Sequence, residues 1–184
     1  VTNMFQMFRG PTAFNQPIGT WNVSSVTNMR DMFYDANSFN SDLSDWNVSA
    51  VTNMSNTFTS ATDLSDANKG KIHKAFSSNP NWTTDWSEFV TYEPITDANF
   101  QDAVNLWFSD EANATFTYGH ISDWNVTGVT TMEDAFKDKT TFDENITAWD
   151  VSNVMNMHGM FEGATVFNQP IGDWNVSSVI HMDF

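Results

Sequence analysis

Apolar positions recur along this chain at a fixed interval. Trp21 and Trp46 are 25 residues apart, as are Trp124, Trp149 and Trp174. Met29, Met54, Met132, Met157 and Met182 follow each Trp by eight residues, and Phe33, Phe58, Phe136 and Phe161 by twelve. Phe39, Leu64, Phe142 and Phe167 follow by eighteen, and Ile18, Leu43, Ile121, Ile146 and Ile171 precede each Trp by three. A fixed period of this length marks a repeat array, in which each unit covers the apolar face of the next. The columns are therefore expected to be core.

Within a unit, "IGTWNV" alternates apolar and polar positions around Trp21 and Val23, which predicts a short strand. Met29, Met32 and Phe33 are spaced i, i+3, i+4, which predicts a short helix capped by the preceding Ser and Thr residues. Pro17 and Gly19 then fit the turn between units. The expected fold class is an α/β repeat solenoid with one short parallel strand and one short helix per unit. The spacing I-x-x-W-x-V-x-x-V-x-x-M is leucine-rich-repeat-like, although Val26 stands in the usual Asn/Cys slot.

The period fails after Leu64, and Lys71 stands where a Trp is due. Ile72, Ala75 and Phe76 predict one amphipathic helix. Phe100, Ala103, Val104, Trp107 and Phe108 predict a second, with Thr96 or Asp97 as N-cap after Pro94. The expected organisation is a first array at 1–64, a helical capping and junction segment at 65–120, and a second array at 121–184. Val1, Met4, Phe8 and Phe14 read as the tail of an earlier unit, so both arrays are expected to be cut inside a repeat.

Strings such as "FNQPIGDWNVSSV", "TNMRDMFYDANSFN" and "WDVSNVMNMHGMF" resemble the 25-residue repeats of BspA-like bacterial surface proteins. Such repeats also occur in mycoplasma lipoproteins and are called PARCEL repeats. The resemblance covers roughly residues 1–67 and 119–184, and the segments between are similar to sequences flanking such arrays. It implies a secreted or cell-surface protein with a role in adhesion or partner binding, and it carries no catalytic residues.

Charge narrows the partners. With 23 Asp and Glu against 7 Lys and Arg, the net charge is -16, which repels nucleic-acid phosphate and anionic lipid. No apolar run approaches the roughly 20 residues needed to cross a bilayer, so no membrane insertion is expected. There is no cysteine, hence no disulfide framework and no thiolate chemistry. The chain carries no G-x-S-x-G, no H-E-x-x-H and no phosphate loop, and its four histidines lack ligand spacing. No enzyme is expected. Structural calcium is the one cofactor an acidic, oxygen-rich chain leaves open, and no D-x-D-x-D-G loop marks a site for it.

The polar rows that flank each Trp are the candidate partner-binding surface: Asp45, Asn47 and Ser49; Asp123, Asn125 and Thr127; Asp150 and Ser152; Asp173, Asn175 and Ser177. Stacked strands would set them as a flat lattice for an extracellular protein or a glycan. The alternatives are a solvated face on a structural spacer, and a glycan-binding module using Trp82, Trp86, Tyr118 and other aromatics outside the columns. The N-x-S/T strings at Asn22, Asn47, Asn125 and Asn175 are read as a product of the repeat, not as glycosylation sites.

Overall fold

The computed structural model describes residues 1–10 and 13–183. The chain forms two compact units, Val1–Thr91 and Tyr92–Phe184. Among the described residues there is no β-strand, and no α-helix falls inside a repeat. The expected α/β, leucine-rich-repeat-like architecture with a strand and a helix per unit is thereby overturned.

What replaces the helix is a run of overlapping turns. Two residues per unit, four apart, have left-handed backbone: Asp31 and Asp35, Asn56 and Ser60, Asp134 and Asp138, Gly159 and Gly163. A right-handed helix cannot pass through such residues, and Asp, Asn and Gly enter that region at the least cost. The amides then alternate in their use. Those of Met29, Asp31, Phe33 and Asp35 donate to the carbonyls of Asn53, Ser55, Thr57 and Thr59 in the next unit, at 2.8–3.0 Å. Between them, the amides of Met32, Tyr34 and Ala36 close turns onto Met29, Asp31 and Phe33.

The expected strand is also a turn. Trp46 N–H donates to the Leu43 carbonyl and Val51 N–H to the Val48 carbonyl, which curls the backbone instead of extending it. Among the described residues parallel pairing survives only as isolated bridges, Asn3 to Asn28 to Asn53 in the first unit, and Thr96 to Gly128 and Thr131 to Asn156 to His181 in the second.

The 25-residue register nevertheless stacks like on like. Trp124 and Trp149 lie parallel with ring centroids 6.1 Å apart, and Trp149 and Trp174 at 6.5 Å. Phe33 stacks on Phe58 at 5.3 Å, and Phe136 on Phe161 at 5.6 Å. Trp46 Nε1 donates to the Ile18 carbonyl and Trp149 Nε1 to the Ile121 carbonyl, so these two buried indoles keep their polar atom satisfied, whereas Trp174 Nε1 has no partner among the described residues.

Three helices lie outside the repeats: α1 (Asp66–Phe76), α2 (Phe100–Ser109) and α3 (Glu111–Tyr118). α1 buries Ile72 and Phe76 against the first core, and α2 buries Phe100, Ala103, Val104 and Trp107 against the second. Ser65 caps α1. At α2 the cap position is Asn99, without a side-chain cap bond, and Asp97 instead accepts the Thr130 amide. Beyond α1, Asn79 donates to the Val48 and Val51 carbonyls and seals the end of the first array. No described helix is long and apolar enough to cross a membrane.

Candidate functional site

The Asn or Asp that follows each Trp is held by its own turn. Asn47 Oδ1 accepts the Ser49 amide at 3.1 Å and the Ser49 hydroxyl at 2.7 Å, and Asn125 does the same with Thr127. Asp150 accepts the Ser152 amide, and Asn175 the Ser177 amide. Each is an Asx turn, which a residue with a short carbonyl-bearing side chain forms two positions ahead of its partner. Hydrogen bonds from Ser152 hold the Asp150 carboxyl below the ordinary carboxylate range.

These side chains are solvated, but they do not form the flat lattice expected of stacked strands, because there are no strands. Asp45, Asn47 and Ser49 belong to the first unit. Asp123, Asn125, Thr127, Asp150, Ser152, Asp173, Asn175 and Ser177 belong to the second, on successive repeats whose Trp rings stack 6.1–6.5 Å apart.

The carboxylates just ahead of the Trp column are freer. Asp45 and Asp173 are exposed and take part in no hydrogen bond or ion pair among the described residues. Asp123 accepts only the Ser122 hydroxyl at 3.3 Å. Asp45 lines an open depression of about 630 Å3 with Thr20, Ser41 and Asp42. Desolvation would raise the pKa of Asp42, but hydrogen bonds from Lys71 and Ser44 outweigh it and keep the carboxyl below its ordinary value.

Of the aromatics outside the columns, Tyr92 is exposed, whereas the others that the sequence singles out are packed against neighbours. Trp82 and Trp86 are half-buried against Phe58 and against each other, and Trp82 Nε1 donates to His73 Nδ1. Tyr34 lies under the Arg9 guanidinium, and Tyr118 packs edge-on against Trp124. Among the described residues, no group of three or more His, Asp or Glu side chains converges as a metal ion would require.

One polar feature escaped the sequence reading. Asp31 is buried at the left-handed position of its turn and takes hydrogen bonds from Asn56 on one side and Gln6 on the other, with Arg9 and Arg30 beside it. Its signal is the polar column Gln6, Asp31, Asn56 and Asp134, set between the Met and Phe columns.

The family model described as "Mycoplasma protein of unknown function, DUF285" matches residues 1–90 and 102–184. The chain belongs to this family. The DUF285 match thus takes in both repeat-bearing stretches, and the chain is a bacterial repeat protein. No curated protein and no solved structure matches it.

Proposed function

We propose that this DUF285 chain is a non-enzymatic, surface-displayed adhesion module that binds an extracellular protein through the polar rows beside its Trp columns. The observation that carries this reading is the set of exposed acidic side chains next to column Trp residues, Asp45 in the first unit and Asp123 and Asp173 in the second. A carboxylate held on a rigid repeat loses little conformational entropy on pairing with a cation of a partner. The net charge of -16 favours a basic partner surface and speeds its encounter. Similarity to the repeats of BspA-like surface proteins and mycoplasma lipoproteins supports the cell-surface location. The packing of Trp82 and Trp86 into the first core makes a protein the better partner than a glycan.

The test is capture of extracellular-matrix proteins by the chain, with glycans and added calcium as separate arms. Reversing the charges with D45K, D123K and D173K is expected to abolish capture while leaving the melting temperature in place, since these side chains hold no turn together. Capture that survives the triple variant would overturn this surface as the site.

A further inference from the structure

Residues 80–90 follow the buried Asn79 and lie over Phe58 of the last repeat in the first unit, yet none of them is itself buried. A cover with so little buried surface belongs to the least stable part of a fold. Trp86 meets Phe58 at 5.5 Å between ring centroids, and Trp82 meets Phe76 edge-on at 5.3 Å. The Phe89 carbonyl presses so close to Gly70 of α1 that an added Cβ would collide with it, and the Phe89 ring lies under the Lys69 ammonium.

The polar clasp on this strap is a single atom. His73 Nδ1 accepts the Trp82 indole N–H at 3.2 Å and the Trp86 backbone N–H at 3.3 Å. With two donors converging on it, Nδ1 presents its lone pair and the ring proton sits on Nε2. A second proton can bind only at Nδ1. There it would point at two N–H groups, and both accepted bonds would be lost.

The charges around the ring do not replace that clasp. Asp85, on the strap, is the carboxylate whose charge acts on His73, and Glu88 on the same strap is exposed. On α1, Lys69 is engaged with Asp66 and Phe89, Lys71 with Asp42, and Lys74 with the Thr91 carbonyl. The repeat beneath contributes Phe58, which carries no charge. Asp85 therefore supplies a counter-charge to an imidazolium, while nothing charged holds Trp82 or Trp86 in its stead.

We propose that His73 is an acid-sensitive latch, whose protonation releases the 80–90 strap from the first array and uncovers Phe58, Trp82 and Trp86 while the repeats stay folded. The accepted bonds exist only with the neutral ring. Their contribution is complete above the range in which imidazoles take up a proton, about pH 6–7, and is lost as pH falls through it. Asn79 is the hinge, since its amide bonds to the Val48 and Val51 carbonyls do not titrate there. Release adds an aromatic contact surface to the first unit in acid.

The experiment is hydrogen exchange on the whole chain, followed by NMR at about pH 8 and about pH 5. Protection of the Trp86 amide and the Trp82 indole N–H, corrected for intrinsic exchange, is expected to fall at least about tenfold in acid. The Met29 and Phe33 amides, which donate between repeats, should keep theirs. H73N sets a side-chain oxygen near the place of Nδ1 that accepts at either pH, so its strap should stay protected at both. H73A, without an acceptor, should show the acid level of protection at both.

Wild-type protection that holds at about pH 5 overturns the proposal. So does an equal acid loss in H73N, since another group would then be titrating, and so does a strap that stays protected in H73A. If H73A fails to fold, the wild-type and H73N comparison decides alone.

Discussion

Asn56 donates its Nδ2 to Asp31 Oδ1 at 3.1 Å, across 25 residues of sequence, with both residues at the left-handed position of their turns. The pair ties one repeat to the next through side chains, beside the backbone rungs that Asp31 and Phe33 send to Ser55 and Thr57. D31A removes the buried carboxylate that the Asn56 and Gln6 amides share, while both amides keep access to water. It should cost about 1–3 kcal/mol, the usual worth of hydrogen bonds to a charged acceptor. Urea unfolding of the first unit checks this, with N56A expected to show a smaller loss.

The same residue makes stability sensitive to acid. Desolvation would raise the pKa of Asp31, but hydrogen bonds from Asn56 and Gln6 and the Arg30 and Arg9 guanidiniums outweigh it, and the carboxyl sits below its ordinary value. Asp97 is lowered too, against desolvation, by hydrogen bonds from Thr130 and Thr131. A carboxyl lowered in the folded state contributes stability above its unfolded pKa, about 3.9 for Asp. That contribution disappears as pH falls through the folded value. Melting temperature should therefore hold steady down to about pH 4 and drop below it, and D31N should flatten part of the drop.

In the second unit the equivalent pair is incomplete. Asp134 Oδ1 takes no hydrogen bond from the next repeat and has the Lys137 ammonium at 3.5 Å as its partner, and the residue in the place of Asn56 is Gly159. G159N supplies the missing donor, since Asn tolerates the φ of 60° found there. The Asp134 carboxylate must rotate to admit the new Cβ, which would otherwise meet its Oδ1. The expected outcome is a gain of about 1 kcal/mol, read as a raised urea midpoint. G159V, which cannot adopt that backbone without strain, should lower it.

The seal at the end of the first array centres on the Asn79 amide, with Asn81 Nδ2 adding a longer bond of 3.3 Å to the Val51 carbonyl. Asn79 is buried, and its Nδ2 satisfies two carbonyls at 2.7 and 2.9 Å. N79A should destabilise the first unit by about 1–3 kcal/mol. Hydrogen exchange should show the amides of 65–91 losing protection ahead of the repeats.

Much of the core could be read in the sequence, because a column of Trp or Phe at constant period has no other use than packing. α1 and α2 were equally plain from Ile72 and Phe76 and from Phe100, Val104 and Trp107. The repeat backbone was misread for a physical reason. Met29, Met32 and Phe33 satisfy helical spacing, yet overlapping turns bring the same three residues to one side. The discriminating letters were Asp31 and Asp35, Asn56 and Ser60, Gly159 and Gly163, residues four apart that tolerate left-handed backbone. α3 gave little signal, since among its residues only Ala114 is buried. At the candidate site, the outward direction of Asn47 and Asn125 followed from alternation around Trp. Their capture by Ser49 and Thr127 was written in the N-x-S/T spacing itself, as an Asx turn.

The rungs between repeats join amides to carbonyls 24 residues ahead, four in succession, wherever a complete pair of repeats is present. An insertion or deletion of one residue between two rungs would shift every later donor off its acceptor and turn buried columns toward water. A whole unit of 25 residues can be added or lost with every rung intact. The reach of this protein can therefore change only in discrete steps, and such a change in length leaves the surface chemistry of each remaining repeat untouched.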